Sequence, residues 1–135
     1  MLDVDISALD NAVAENRALL KDGLTAMDIW DKETGLSLAG HNPQPEATAL
    51  FNQVTTEIQQ TLSGSGFPTL NRYYLLDLTG GHTVVVQLHR EELMSGMLLD
   101  GSKVNLGVLV SVAIPKLAQN IEKARSSAQG TVGGY

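Results

Sequence analysis

The side chains that could bind a metal ion are few in this sequence, and they are spread along it. Zinc is held by three or four cysteine, histidine or carboxylate ligands that the fold brings together. The chain has no cysteine, and its histidines, His41, His82 and His89, never recur at a spacing of three or four residues. Their positions beside turns and strand ends are typical of surface histidines. The sequence therefore predicts no metal site and no bound cofactor.

Acidic side chains are more numerous, but their arrangement does not indicate general acid–base catalysis. That chemistry requires two carboxyl groups in one cleft whose pKa values differ, whereas the acidic residues here fall mostly in predicted turns. The sequence contains no Gly-x-Ser-x-Gly pattern for a serine nucleophile, and no glycine-rich loop with a lysine for a phosphate group. We therefore expect a protein that is not an enzyme.

The most informative polar residues lie on one side of a predicted helix that begins near Pro43 and ends near Leu62. This side, called here the Thr/Gln face, carries no charge between Glu46 and Glu57. A helix face exposed to water normally carries more charge, and the centres of protein interfaces are depleted of Lys and Glu. An ordinary solvated surface and an interface both stay open as interpretations. The candidate interface residues of this face are Thr48, Asn52, Thr55, Thr56 and Gln59.

A second candidate is an edge of the sheet, formed by the predicted strand that contains Arg72, Tyr73 and Tyr74. Tyrosine is favoured at interfaces because it buries a large ring and keeps a polar end for hydrogen bonding. The alternative interpretation of the same residues is a half-buried part of the sheet. Both interpretations require this segment to be extended.

Three short strands between residues 70 and 107 organise the predicted fold. Gly80 and Gly81 separate two apolar runs, which predicts a tight hairpin turn because glycine readily adopts positive φ angles. After the third strand, Asn105 is a suitable N-cap for the last helix. Pro115 lies inside that helix, and we expect a kink there because proline cannot donate the backbone hydrogen bond.

The segment before these strands predicts a helix, two strands and a second helix. The first helix is expected to open at Ser7 and to stop at Gly23. Strands are predicted over residues 24–31 and 36–40, joined by a polar hairpin loop that ends in Gly35. The second helix has an apolar stripe that we expect to face the sheet. The stripe consists of Ala47, Leu50, Phe51, Val54, Ile58 and Leu62.

The predicted fold class is α+β, with a five-stranded antiparallel sheet and the element order α-β-β-α-β-β-β-α. The strands after residue 70 are apolar on one face and half apolar on the other, which predicts that helices cover both faces of the sheet, or that a partner covers one of them. We expect one domain over residues 1–125 and a flexible tail over residues 126–135, since the tail is rich in Gly and Ser and has little to bury.

The net charge of −6 argues against nucleic acid as a partner, because binding to phosphates needs clustered Lys and Arg. The longest apolar run falls well short of the ~20 residues that a membrane span needs, so membrane insertion is not expected. The first residues are acidic and do not follow the pattern of a secretory signal. These features predict a cytoplasmic protein.

In its element order the sequence resembles the roadblock/dynein-light-chain family, in the small bacterial form, over residues 7–123. Two local matches support the resemblance. One is the strand-turn-strand around residues 31–35, and the other is the strand that ends in Leu98-Leu99-Asp100 before Asn105-Leu106-Gly107. The profilin and PAS folds have a similar five-stranded sheet, so the predicted arrangement is roadblock/profilin-like.

The resemblance implies a non-catalytic domain that forms a homodimer by joining two sheets across a two-fold axis, with the second helices beside that axis. It also implies a small Ras-like GTPase as a partner, often of the gliding-motility type. On this basis the Thr/Gln face and the strand from Arg72 are the expected interface. No arginine finger is expected, because none of the four arginines lies in a marked loop. The four are Arg17, Arg72, Arg90 and Arg125.

The rival hypothesis is a small-molecule sensor of PAS or profilin type. Such a domain needs a pocket between the sheet and a helix. The chain has only six aromatic residues, and its apolar faces are predicted to be filled by Leu and Val. This hypothesis therefore ranks second to the interaction domain.

Overall fold

Five strands form one antiparallel sheet in the computed structural model, which describes residues 3–133 and the side chains of residues 3–126. The strands lie in the order β2-β1-β5-β4-β3, so the last strand in sequence is the central one. They are β1 (Leu24–Asp31), β2 (Ser37–His41), β3 (Tyr73–Leu78), β4 (His82–His89) and β5 (Leu93–Asp100).

The helices are α1 (Ile6–Leu20), α2 (Pro45–Ser65), α3 (Leu106–Val108) and α4 (Ile114–Gly133), with a π-helical turn over Leu109–Ala113 between α3 and α4. The predicted fold class and element order are confirmed. Within the described residues, no helix is both long enough and apolar enough to cross a membrane.

Local sequence signals account for a hairpin turn of the sheet and for the N-cap of the helix that follows it. Gly80 and Gly81 have φ angles of 80° and 78°, as the predicted hairpin requires. The side chain of Asn105 accepts a hydrogen bond from the Val108 N–H at 3.1 Å, which confirms the predicted N-cap. The cap predicted for the first helix is wrong. Asp5 takes this role instead of Ser7, since its carboxylate accepts a hydrogen bond from the Ala8 N–H at 3.2 Å.

The predicted irregularity at Pro115 takes the form of the π-helical turn that directly precedes it. Proline has no N–H and its ring crowds the preceding turn, and a wider turn relieves both effects. The helix then continues to Gly133. The division of the chain at residue 125 stays a prediction, and residues 134 and 135 of the predicted tail lie outside the described residues.

Helices cover both faces of the sheet, as predicted, but they do so unequally. On one face α1 and α4 pack over a large core to which β1, β4 and β5 contribute Met27, Ile29, Val85, Met97 and Leu99. On the other face α2 packs over a smaller core of Trp30, Val84, Val86 and Met94. The residues that complete this second core, Phe51, Tyr74, Leu76 and Leu98, are only partly buried. The α2 face of the sheet is therefore incompletely covered by its own chain.

Candidate functional site

The orientation predicted for the second helix is wrong in part, since Ala47 and Phe51 of the apolar stripe lie against the sheet as predicted. Thr48 and Thr55, which belong to the Thr/Gln face, are 6% and 0% exposed, whereas Leu50 of the apolar stripe is 53% exposed. The helix buries these polar residues because their hydroxyl groups find partners inside the protomer. Thr48 donates to the Pro45 carbonyl at 3.2 Å, and the Thr55 hydroxyl is hydrogen bonded to the Tyr74 hydroxyl at 2.8 Å. A satisfied hydrogen bond removes most of the penalty for burying a hydroxyl group.

Asn52 fixes α2 to the sheet by two hydrogen bonds. Its side-chain oxygen accepts from the Trp30 indole N–H at 2.9 Å, and its amide donates to the Lys32 carbonyl at 3.0 Å. Trp30 is 1% exposed, so its N–H has no access to water. Asn52 therefore satisfies a buried donor, and it sets the position of α2 over β1.

The Asn52→Ala variant is expected to lose about 1–3 kcal/mol in the free energy of unfolding, because the buried indole N–H is left without its acceptor. Urea unfolding followed by fluorescence measures this loss, since Trp30 is the only tryptophan of the chain. Gln53→Ala, at the exposed neighbouring position, is the matched control and should change stability little. Equal stability of the two variants would contradict this role of Asn52.

The remaining predicted interface residues lie at the surface or are half-buried. Thr56 is exposed, and its hydroxyl donates to the Asn52 carbonyl at 3.0 Å. Gln59 is half-buried and lines a shallow groove together with Arg72, which is exposed. An interface through these residues stays a prediction. Thr48 and Thr55 are not open to a partner, because both are already buried within the protomer.

Tyr73 and Tyr74 lie on opposite faces of β3, and both are half-buried. Tyr73 packs against the core under α1 and α4, whereas Tyr74 packs against the core under α2. Burial raises the pKa of the Tyr74 hydroxyl, and the hydrogen bond with Thr55 partly opposes this increase. In a single protomer, both tyrosines are therefore half-buried parts of the sheet. Their role in an interface stays a prediction.

In addition to the exposed Thr56, α2 presents an apolar flank at its surface. It consists of the exposed Leu50 and the half-buried Val54 and Ile58. Sequence reasoning identified these residues as one stripe but assigned the whole stripe to the core. The overlooked signal is the number of hydrogen-bonding side chains on the Thr/Gln face. The sheet can provide hydrogen-bond partners for several of them.

Strand β3 forms one edge of the sheet. Among the described residues it pairs with β4 and with no other strand. The Leu88 N–H donates to the Arg72 carbonyl at 2.8 Å, so Arg72 and Leu88 form a hydrogen-bonded pair of the antiparallel ladder. Such pairs alternate with pairs whose N–H and C=O groups point away from each other. The N–H groups of Tyr73, Leu75 and Asp77 therefore point away from β4, towards the open edge.

The open edge lacks the usual protection against pairing with another chain. Natural edge strands carry Lys, Pro or a β-bulge, or are very short. Strand β3 has the sequence Tyr-Tyr-Leu-Leu-Asp-Leu and pairs with β4 in an unbroken register. The opposite edge, β2, is shorter and has an irregularity in its pairing with β1. Of the two edges, β3 is the one suited to pairing with a further strand.

Two buried titratable groups lie within the sheet. Asp28 is 6% exposed, and burial raises the pKa of its carboxyl group, although a hydrogen bond from Ser37 at 2.5 Å partly opposes the shift. The surface position predicted for His89 is wrong, because this residue is also 6% exposed and hydrogen bonded to Ser95 at 2.8 Å. Burial lowers the pKa of His89 to about 4. Across the described part of the chain, no three His, Asp or Glu side chains gather in a way that could hold a metal ion.

No protein-family model matches the sequence, and no curated protein matches it significantly. Solved structures do match. MglB of Myxococcus xanthus has a TM-score of 0.77 at 11% identity, and the match covers 95% of each chain. A structure of MglB with a tetrameric arrangement has a TM-score of 0.66 at 16% identity, over 87% of this chain and 93% of that one. A roadblock/LC7 domain of Streptomyces avermitilis has a TM-score of 0.58 at 13% identity, over 87% and 95%.

These identities are low, so the likeness is one of fold. It extends over nearly the whole of this chain and of the chains that it matches. The resemblance found in the sequence is thereby confirmed at the level of architecture: this chain has the roadblock/LC7 fold, in a form similar to that of MglB.

Proposed function

We propose that this chain is a homodimeric interaction domain that binds and regulates a small Ras-like GTPase in the bacterial cytoplasm and catalyses no reaction itself. The observation that carries the proposal is the open, apolar edge of β3 beside the apolar flank of α2. Both features expose groups that a second copy of the chain would cover. The similarity of fold to MglB and to a roadblock/LC7 domain supports the proposal.

The edge of β3 suits pairing with its own copy. A two-fold axis beside the strand brings two identical edges together in antiparallel orientation, so each outward N–H group meets a carbonyl group. Two sheets of five strands then become one continuous sheet. The side chains of Tyr73, Tyr74, Leu75 and Leu76 are half-buried in one protomer and would be covered further in the pair.

The flank of α2 adds apolar area to the same interface. The hydrogen bond between Thr55 and Tyr74 holds α2 next to β3. Leu50, Val54 and Ile58 are then available for contact with the second helix of the partner. A stable interface of standard size buries ~1,600 Å² in total, and one strand with one helix flank from each protomer is suited to supply it.

For the GTPase we infer that this domain acts by binding and by reordering the catalytic residues of the GTPase, not by donating an arginine. Arg125 is buried and ion paired with Glu92 and Glu122. Arg90 forms two hydrogen bonds to Glu122, at 2.8 and 3.1 Å. The Arg125 guanidinium group is therefore held within the protomer, whereas that of Arg90 is exposed and held by a surface ion pair.

Titration of a Ras-like GTPase of the gliding-motility type, encoded in the same genome, tests the proposal. We expect tighter binding to the GTPase loaded with a non-hydrolysable GTP analogue than to the GDP form. Arg17→Ala, Arg72→Ala and Arg90→Ala change the three exposed arginines, and each should alter GTP hydrolysis only a few-fold. Absence of binding between the unchanged chain and either nucleotide state of the GTPase would contradict the proposed partner. A fall of ~10³-fold in hydrolysis for any of these variants would instead reveal an arginine finger.

A further inference from the structure

A pocket opens between α2 and the sheet, on the face with the smaller core. Its walls come from β1, β4, β5 and α2. Its empty volume is about 370 Å³, including the part that opens to solvent. Ala26, Trp30, Val84 and Leu98 contribute from the strands, and Ala47 and Phe51 contribute from the helix. The sequence predicted that Leu and Val fill this face. The pocket exists because small residues stand at Ala26, Ala47 and Gly96.

Gly96 has a defined role in the shape of this pocket. A Cβ atom at this position would lie 3.2 Å from the Trp30 ring, which is tighter than an ordinary contact. The glycine thus lets the indole ring lie close to β5. Trp30 is held there by its hydrogen bond to Asn52, so the wall that it forms is fixed.

Asp28 also lines the pocket, and one of its carboxylate oxygens lacks a partner. Oδ1 accepts the hydrogen bond from Ser37 of β2. Oδ2 is buried and has no hydrogen-bond partner among the described residues. The residue opposite Asp28 on β5 is Gly96, which has no side chain to offer. On β2, the backbone at Gly40 approaches so closely that a Cβ atom there would lie 3.2 Å from Oδ1.

A buried carboxylate with one oxygen left without a donor is energetically unfavourable. The raised pKa of Asp28 reflects the same deficiency, since burial penalises its charged form. A positively charged N–H donor would compensate for it best, because it adds the attraction between opposite charges to the hydrogen bond. The net charge of −6 also favours cations over anions near this protein.

We propose that this pocket is a binding site for a small organic amine. The compact apolar body of the ligand packs between Phe51, Val84 and Leu98, and its ammonium group donates a hydrogen bond to Oδ2 of Asp28. This site is a property of a single protomer. The test of this site and the test of the GTPase partner are therefore independent of each other.

The test is a titration of the full chain with isobutylamine, followed by NMR of the Ala26 and Ala47 methyl groups and of the Trp30 indole N–H. Isobutanol, which has the same apolar body and a neutral donor, is the comparison ligand. We expect saturable shifts with isobutylamine, with a dissociation constant in roughly the millimolar range. Isobutanol should bind about tenfold more weakly, because its neutral hydroxyl group donates to the carboxylate without the attraction of a positive charge.

Two variants separate the apolar and polar parts of the site. Asp28→Asn keeps the shape of the side chain and removes its charge, so isobutylamine should bind about as weakly as isobutanol. Ala47→Met fills the pocket from the partly buried side of α2 and should abolish binding of both ligands. Ala49→Met, at an exposed position of the same helix, is the matched control and should bind like the unchanged chain.

Three results would overturn the proposal. The first is the absence of chemical-shift changes in the unchanged chain. A second copy of the chain that occupies the pocket would give the same result and would equally overturn the proposal. The second is equal binding of amine and alcohol that Asp28→Asn does not alter. The third is an amine response that persists in Ala47→Met, because this would place the amine elsewhere on the acidic surface.

Discussion

The Leu75→Pro variant is expected to be monomeric at concentrations at which the unchanged chain is dimeric. Leu75 lies in the middle of β3, and its N–H points towards the open edge. Proline at this position removes one donor from each protomer and places its ring where the partner strand must approach. It leaves the ladder between β3 and β4 intact. At ~1 kcal/mol for each lost hydrogen bond, the two losses alone weaken association roughly 30-fold.

Leu75→Ala is the control for this experiment, because it removes the same half-buried side chain but keeps the N–H group. Light scattering should give a mass near twice 14.4 kDa for the unchanged chain and for Leu75→Ala, and near 14.4 kDa for Leu75→Pro. Circular dichroism should show that both variants remain folded. If Leu75→Pro dimerises as strongly as Leu75→Ala, the edge of β3 is not the interface.

The stability of the fold is expected to decrease by about 3 kcal/mol between pH 6.5 and pH 4 because of His89 alone. Burial lowers the pKa of His89 from 6.5 to about 4. The unfolded chain therefore binds a proton at this histidine before the folded chain does, so acidification stabilises the unfolded state. One unit of pKa difference corresponds to 1.36 kcal/mol. The loss begins near the unfolded pKa and is complete below the folded one.

The His89→Gln variant isolates this effect. Glutamine stays neutral and is long enough to reach Ser95, so the difference in unfolding free energy between the two proteins should shift by about 3 kcal/mol across this pH window. Carboxyl groups such as Glu122, whose pKa the Arg90 hydrogen bond lowers, also destabilise the fold in acid but contribute to both proteins. His82→Gln, at an exposed position, should follow the unchanged chain. Parallel pH profiles for His89→Gln and the unchanged chain would contradict the buried, neutral state of His89.

Local signals allowed much of this fold to be predicted. The strand over residues 24–31 has the predicted bounds, and the Gly80-Gly81 turn and the Asn105 cap are where the sequence places them. These features depend on backbone angles and on hydrogen bonds between neighbouring residues. Such interactions involve few residues, so the sequence pattern identifies them directly.

The orientation of α2 could not be predicted, because it depends on partners that are distant in sequence. Asn52 is held by Trp30 and Lys32, and Thr55 is held by Tyr74. A pattern of apolar residues does not reveal which polar side chains the sheet will satisfy. For the same reason the amine pocket was missed, since it forms where Ala26, Ala47 and Gly96 meet from three different elements.

The open edge of β3 could be predicted only in part. The sequence predicted this strand, with its two tyrosines, as a candidate edge, but not the strand order that places it at the end of the sheet. That place follows from the strand order, in which β5 inserts between β1 and β4. Only this order shows that Tyr73, Leu75 and Asp77 have backbone groups available to a second chain.

The most direct test of the central claim is the mass of the complex with the GTPase, measured by light scattering after size exclusion. Leu75→Ala and Leu75→Pro are each mixed with the GTPase loaded with a GTP analogue. We predict that Leu75→Ala forms a complex that contains two copies of this chain, and that Leu75→Pro forms none or a much weaker one. A complex with a single copy of this chain, formed equally by both variants, would contradict the claim that the edge-joined dimer is the unit that binds the GTPase.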